Sequence, residues 1–135
     1  MAKKINLGLI GAGRIAGHHI RAIKKDKNFK ILSICDLNTH KAQNYAVKNN
    51  LKYYSHYKEM LSKEKTLDAV AILTPSGMHY SHSIDILKKF KKHIIVEKPT
   101  ALKTSEIINL YKAARKVKKK YFLFFKIDTI NVSQN

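Results

Sequence analysis

The chain is poor in the residues that punctuate or staple a fold. Its 135 residues include one cysteine, no tryptophan, two prolines and five glycines. A single cysteine excludes an internal disulfide. Cys35 closes an apolar run, so it reads as a small core residue, and the composition fits a reducing, cytoplasmic setting. No apolar run approaches the roughly 20 residues of a transmembrane helix. Met1-Ala2-Lys3-Lys4 lacks the uninterrupted apolar core of a signal peptide, so no membrane partner is expected. There is no repeat, linker or low-complexity tract. The length suits one domain that can bury roughly two-thirds of its unfolded surface.

Acidic residues are the other scarcity, with 9 Asp+Glu against 27 Lys+Arg and a net charge of +18. Such a balance suits a nucleic-acid or anionic-ligand surface. Yet the only arginines are Arg14, Arg21 and Arg115, and arginine is the residue fitted to bidentate phosphate and base recognition. The lysines gather instead at expected helix ends, as in Lys88, Lys89, Lys91 and Lys92, or Lys118 to Lys120, where they complement the helix dipole. The favoured reading is a solvated lysine-rich surface with a general attraction for anions and no specific nucleic-acid partner. A basic nucleic-acid-binding module is the less favoured alternative.

Four of the five glycines, Gly8, Gly11, Gly13 and Gly17, fall in one stretch. Ile5, Leu7, Leu9 and Ile10 form a short apolar strand that runs into Gly11. Gly11-Ala12-Gly13-Arg14-Ile15-Ala16 then fits G-x-G-x-x-G/A, the strand-to-helix turn that holds a dinucleotide pyrophosphate. Gly11 permits the tight turn, Gly13 lets backbone approach phosphate, and Ala16 lets the helix pack on the strand. The free N–H groups at the helix start attract the anion. An amphipathic helix with Ile15, His19, Ile20, Ala22 and Ile23 follows, and a second strand, from Phe29 to Cys35, ends at Asp36. An acid about 20 residues beyond the glycines is placed to accept bonds from ribose hydroxyls. Asp36 would repel a 2′-phosphate, and Leu37 and Asn38 offer no compensating arginine, so NAD is expected over NADP.

The rest of the chain alternates. A helix begins at Asn38 or Thr39, with Ala42, Tyr45, Ala46 and the Lys48 stem as its inner face. A short strand spans 51–54, a short helix 57–61 and a strongly apolar strand 67–73. A helix then runs from about Met78 to Phe90, a fifth strand spans 93–97, and a helix from Thr104 or Ser105 runs to about Lys118. Ile107, Ile108, Leu110, Tyr111 and Ala114 are its packing candidates, and residues 121–125 form a sixth strand. This alternation predicts an α/β fold, a Rossmann-type doubly wound parallel sheet of six strands. Ligands of such sheets bind beyond the carboxyl ends of the strands, here 11–16, 36–38, 74–76 and 97–99. Lys98 beside Glu97 could bind a substrate oxyanion or act as a base. His79 and His82 stand three apart, but no cysteine or carboxylate has matching spacing, so no metal is expected. His18 and His19 read as ordinary helix residues.

Four segments resemble one family: residues 11–16, Asp36, Thr74-Pro75-Ser76-Gly77-Met78-His79, and Glu97-Lys98-Pro99. Together they resemble the Gfo/Idh/MocA oxidoreductases over residues 3 to about 125. The Thr-Pro-Ser-Gly-x-His form is similar to the branch that oxidises nucleotide-linked amino-sugar acids at the sugar 3-position. The resemblance implies an NAD-dependent sugar dehydrogenase. Gly11, Gly13, Arg14 and Ile15 would line the pyrophosphate turn, and Asp36 would hold the adenosine ribose. Thr74, Pro75 and His79 would flank the nicotinamide. Glu97 and Lys98 would face nicotinamide and substrate, with Lys98 as the catalytic residue.

The family also carries a second α/β domain with most of the substrate pocket and the oligomer interface. That domain is not expected within this chain, so residues 1–125 form the cofactor half, and alone they are expected to catalyse poorly. The full-length form is expected to be a homo-oligomer. A non-catalytic NAD-sensing domain is the alternative. In the resembling branch a Gln-Asn-Arg-Tyr/Phe-Asn segment follows the sixth strand. The run from Phe125 to Ile130 can be encoded TTC-AAA-ATA-GAT-ACA-ATA, which regrouped spells Gln-Asn-Arg-Tyr-Asn. One reading is a frameshift near Phe124–Phe125, with 126–135 a disordered out-of-frame tail; the other is a fragment with a chance tail.

Overall fold

In a computed structural model of the protein, residues 3–74, 76–97, 103–117 and 122–125 are described. Pro75, Lys98, Tyr121 and the 126–135 tail lie outside them. The elements run β1 (Ile5–Ile10), α1 (Arg14–Lys24), β2 (Phe29–Cys35), α2 (Thr39–Asn49), β3 (Lys52–Tyr54), α3 (Tyr57–Lys63), β4 (Ala69–Ile72), α4 (His79–Asp85), β5 (His93–Glu97), α5 (Thr104–Lys116) and β6 (Phe122–Phe125). All pairings are parallel, in the order β3-β2-β1-β4-β5-β6. Strand order reverses between β1 and β4, the place where doubly wound sheets open a crevice.

Both faces of the sheet are covered, which is why its strands are apolar on both sides. On one face Leu7, Leu9 and Ile34 meet Ala16, Ile20 and Ile23 of α1 and Ala42 and Ala46 of α2. On the other, Ile10, Val70, Ile72, Ile94 and Val96 meet Met60, Leu61, Ile86, Leu87 and Leu110 from the later helices. Small alanines on α1 and α2 let those helices lie close to the strands.

Several boundaries differ from the sequence expectation. The helix expected over 78–90 is three pieces: a 3-10 turn at Ser76–Met78, α4, and a π turn at Ile86–Phe90. The wider turn brings the consecutive Ile86 and Leu87 both into the core. It closes with the Lys91 N–H on the Ile86 carbonyl at 2.9 Å, with Lys91 left-handed at φ 54°. At α5 the Glu106 carboxylate accepts the Lys103 N–H at 2.9 Å, so the helix starts without a Thr104 or Ser105 hydroxyl cap. Leu110, Ala113 and Ala114 form its buried stripe, while Ile108 and Tyr111 are exposed beside it. Asn38 is the cap of α2, its side chain accepting the Lys41 N–H at 3.4 Å. Lys48 is exposed on α2 and contributes nothing to its inner face.

Candidate dinucleotide-binding site

The chain leaves β1 through a turn that only glycine can make. Gly11 has φ +107°, and a Cβ there would stand 2.9 Å from the backbone of Leu73 and Thr74. This close approach joins the two halves of the sheet. The Gly11 N–H donates to the Cys35 carbonyl at 2.8 Å, and the Leu73 N–H to the Ile10 carbonyl at 2.7 Å. Gly13 is needed for a different reason. Its backbone is extended (φ −76°, ψ −170°), and a Cβ would meet nothing within 4 Å. The space above it is open, so backbone can meet a ligand there.

Gly13 is also the residue before α1, and it supplies no side-chain cap; the first turn holds no acid. The Ala12 N–H points to Asp36 Oδ2 at 2.8 Å, and Asp36 Oδ1 accepts the Asn38 N–H at 2.8 Å. The half-buried carboxylate thus ties the glycine turn to the end of β2. From α2 the Tyr45 hydroxyl donates to the Gly13 carbonyl at 2.9 Å. Beside the turn lies a cleft of about 420 Å³ lined by Ala12, Gly13, Arg14, Lys41, Tyr45 and Lys48 among others. Its charged side chains are all basic. Open backbone, an uncapped helix start and basic walls fit a diphosphate-bearing cofactor.

The second part of the crevice lies at the end of β4. Two histidines on successive turns of α4 hold Thr74. His79 Nε2 donates to the Thr74 carbonyl, and His82 Nδ1 pairs with the Thr74 hydroxyl at 3.2 Å. His79 is buried, its Nδ1 without a hydrogen-bond partner among the described residues. Behind His82 the Tyr57 ring lies at 5.0 Å, stacked in turn on His56 at 4.8 Å. The Tyr57 hydroxyl donates to Asp85, which also pairs with Lys89 at 3.2 Å. Burial, together with His56 and His79, lowers the His82 pKa against the opposing pull of Asp85. Burial raises the Asp85 carboxyl, but the bonds from Tyr57 and Lys89 outweigh it, and the net direction is down. Burial, and the Asp36 charge after it, push the Cys35 thiol up to about 12, which leaves it an inert core residue.

Gly11, Gly13, Arg14, Ile15 and Asp36 therefore come together around one turn, with Thr74, two residues past β4, against Gly11 and His79 behind Thr74. Glu97 ends β5, paired in register with Phe125. Sequence reasoning missed Lys41 and Lys48 as cleft residues, and read Tyr45 only as core. Nothing in their local pattern marks them, since they reach the cleft from α2. It also missed what His79 and His82 share. Their i, i+3 spacing does place both on one side of a helix, and the shared object is Thr74. No cluster of three metal-binding side chains occurs among the described residues. Nor is any described helix long and apolar enough to cross a membrane.

A glycine turn opposite an acid, at the point where strand order reverses, defines a dinucleotide-binding α/β domain. Residues 5–125 match the oxidoreductase family with the NAD-binding Rossmann fold, Gfo/Idh/MocA, and the chain belongs to that family. It is 32% identical over 117 residues to the uncharacterized oxidoreductase YrbE of Bacillus subtilis, covering 86% of this chain and 34% of YrbE. It is 29% identical over 100 residues to the glucose-6-phosphate 3-dehydrogenase of the same organism, covering 74% of this chain and 27% of that one. Among solved structures it is similar to the WlbA dehydrogenase of Bordetella pertussis in complex with NADH and UDP-GlcNAcA. That match has TM-score 0.78 and 29% identity, and covers 87% of this chain and 34% of that one. The chain thus spans about a third of the length of these relatives.

Proposed function

We propose that this chain is the cofactor-holding part of an NAD-dependent dehydrogenase that oxidises a hydroxyl of a sugar or nucleotide-sugar. One observation carries the reading: an open backbone cradle at Gly13, heading an uncapped helix and tied across the crevice to Asp36. The relatives that oxidise sugars support it. Gly11, Gly13, Arg14 and Ile15 receive the pyrophosphate, with Arg14 supplying charge from the cleft wall. Asp36 has both oxygens engaged by backbone N–H donors and keeps further lone pairs for ribose hydroxyls. Thr74 stands on the nicotinamide side, and Pro75, which follows it in sequence, lies outside the described residues. His79 acts there by fixing the Thr74 carbonyl rather than by touching the ligand.

NAD held there would supply the hydride acceptor for the carbinol carbon, so that the alcohol would become a ketone. Lys98, which follows β5 directly, orients the sugar and takes the hydroxyl proton; Glu97 stands beside it. Residues outside this chain complete the substrate pocket and exclude water, which near-attack geometry requires. Titrating the folded protein with NADH and following cofactor fluorescence tests the reading. Saturable binding that is lost in Asp36→Ala supports it. No binding at about millimolar NADH, far above the affinity of an ordinary cofactor site, overturns it.

A further inference from the structure

Two histidines grip Thr74 just past β4, and the two grips differ in kind. The carbonyl can only accept, so His79 Nε2 must carry its proton. The hydroxyl can donate or accept, so the His82 contact has a direction that the His82 proton decides. We propose that His82 is a positioning residue for cofactor binding. When neutral it carries its proton on Nε2 and accepts the Thr74 hydroxyl at Nδ1; when protonated it donates from Nδ1 and turns the hydroxyl proton toward the crevice.

The placement supports a switch rather than a fixed strut. His79 is buried, but His82 is half-buried and lines an open cleft of about 430 Å³ with Tyr57, Lys58, Tyr80, Asp85 and Lys89. Protons from solvent reach its ring without unfolding anything. Its titrating and charged surroundings come from three segments. His56 precedes α3, Tyr57 and Lys58 lie on α3, His79, Tyr80 and Asp85 share α4, and Lys88 and Lys89 lie in the π turn. Asp85 is the one acid among them, and Tyr57 and Lys89 already occupy it, so an imidazolium at His82 gains little compensation. Burial and the neighbouring histidines hold the His82 pKa below its ordinary value. Neutral solution therefore keeps the ring uncharged, and the donating imidazolium enters only below the ordinary histidine pKa. Reversal leaves the Thr74 oxygen occupied and aims a proton at the nicotinamide side, where the free protein had offered an oxygen lone pair.

This inference rests on the dinucleotide reading above, so its test includes a ligand-free measurement. The 15N shifts of His82 in the free protein at about pH 7.5, above the ordinary histidine pKa, report the tautomer. The Nε2–H form is expected; an Nδ1–H form overturns the proposal. The Thr74 amide shift should follow the His82 titration, and a Thr74 signal indifferent to it also overturns the proposal. In the second arm, NADH affinity is compared between about pH 7.5 and a pH below the ordinary histidine pKa at which the Thr74 amide shift reports His82 protonated. A weakening of about fivefold toward acid is expected, the scale of one hydrogen bond. His82→Asn places an amide oxygen near the Nδ1 position and cannot titrate. It should keep the neutral-pH affinity within about twofold, and the acid weakening should vanish. A His82→Asn profile that matches the unsubstituted protein overturns the proposal. Should NADH bind at no pH, the dinucleotide reading falls, and the tautomer and Thr74 measurements still decide the direction of the bond.

Discussion

The ends of β1 and β4 lie side by side across the reversal of strand order, and they are built from opposite materials. At β1 the site is backbone. Gly11 and Gly13 present no side chain, and the shape comes from a positive φ and a helix start left without a cap. At β4 the site is side chains, with the two Thr74 oxygens fixed by His79 and His82. A backbone site is set by which residues are missing, and tolerates almost no added atom. A side-chain site is set by proton positions, and its character changes with pH.

Substitutions should separate the two ends, beginning with the most damaging. Gly11→Ala puts a Cβ into the Leu73–Thr74 backbone at a φ that alanine resists. The expected cost is about 3 kcal/mol, read as a lowered urea midpoint with unchanged slope. Gly13→Val meets open space and an extended backbone, so stability should move by less than about 0.5 kcal/mol. NADH affinity should nevertheless fall more than about tenfold, because the new side chain occupies the place of the ligand. Equal losses of stability at both positions would break the distinction between a turn glycine and a ligand glycine.

Proton linkage sharpens the comparison from beneath α1. Burial, with His18 after it, lowers the His19 pKa to about 4 from an ordinary 6.5. Between those values the unfolded chain binds a proton that the folded chain refuses. Stability is therefore full above pH 6.5 and declines as pH falls toward 4. His19→Leu should remove up to one proton from that slope, about 1.4 kcal/mol per pH unit, in denaturation series across the window. The remaining slope belongs in part to His82. Tyr45→Phe loses the bond to the Gly13 carbonyl. It should cost about 1 kcal/mol by the same denaturation measurement, with a modest loss of NADH affinity.

The contrast also explains what could be read before any coordinates. The β1 end was legible because steric rules act on neighbours in sequence: Gly11, Gly13 and Ala16 are spaced by the turn itself, and Asp36 by one helix and one strand. The alternation of apolar runs likewise implied a parallel sheet. Lys41, Tyr45 and Lys48 escaped because they reach the cleft from another helix, where only tertiary packing makes them neighbours of Gly13. The π turn at Ile86–Phe90 escaped because Ile84, Ile86 and Leu87 keep an apolar pattern that an ordinary helix satisfies equally well. At the β4 end the residues were visible but their partner was not. The spacing of His79 and His82 raised only a metal, which the lack of further ligands set aside, and the two oxygens of Thr74 are what they share.

Gly11 has a further consequence. Its N–H is bonded to β2, the preceding carbonyl is bonded to the residue after β4, and Asp36 clasps the next N–H. The loop that meets the ligand is therefore preorganised: its conformational entropy was lost when the sheet assembled, and binding need not order it again. Calorimetry on such a loop should show little of the heat-capacity signature of coupled folding. Slow motions that gate the crevice would then have to arise in other parts of the protein.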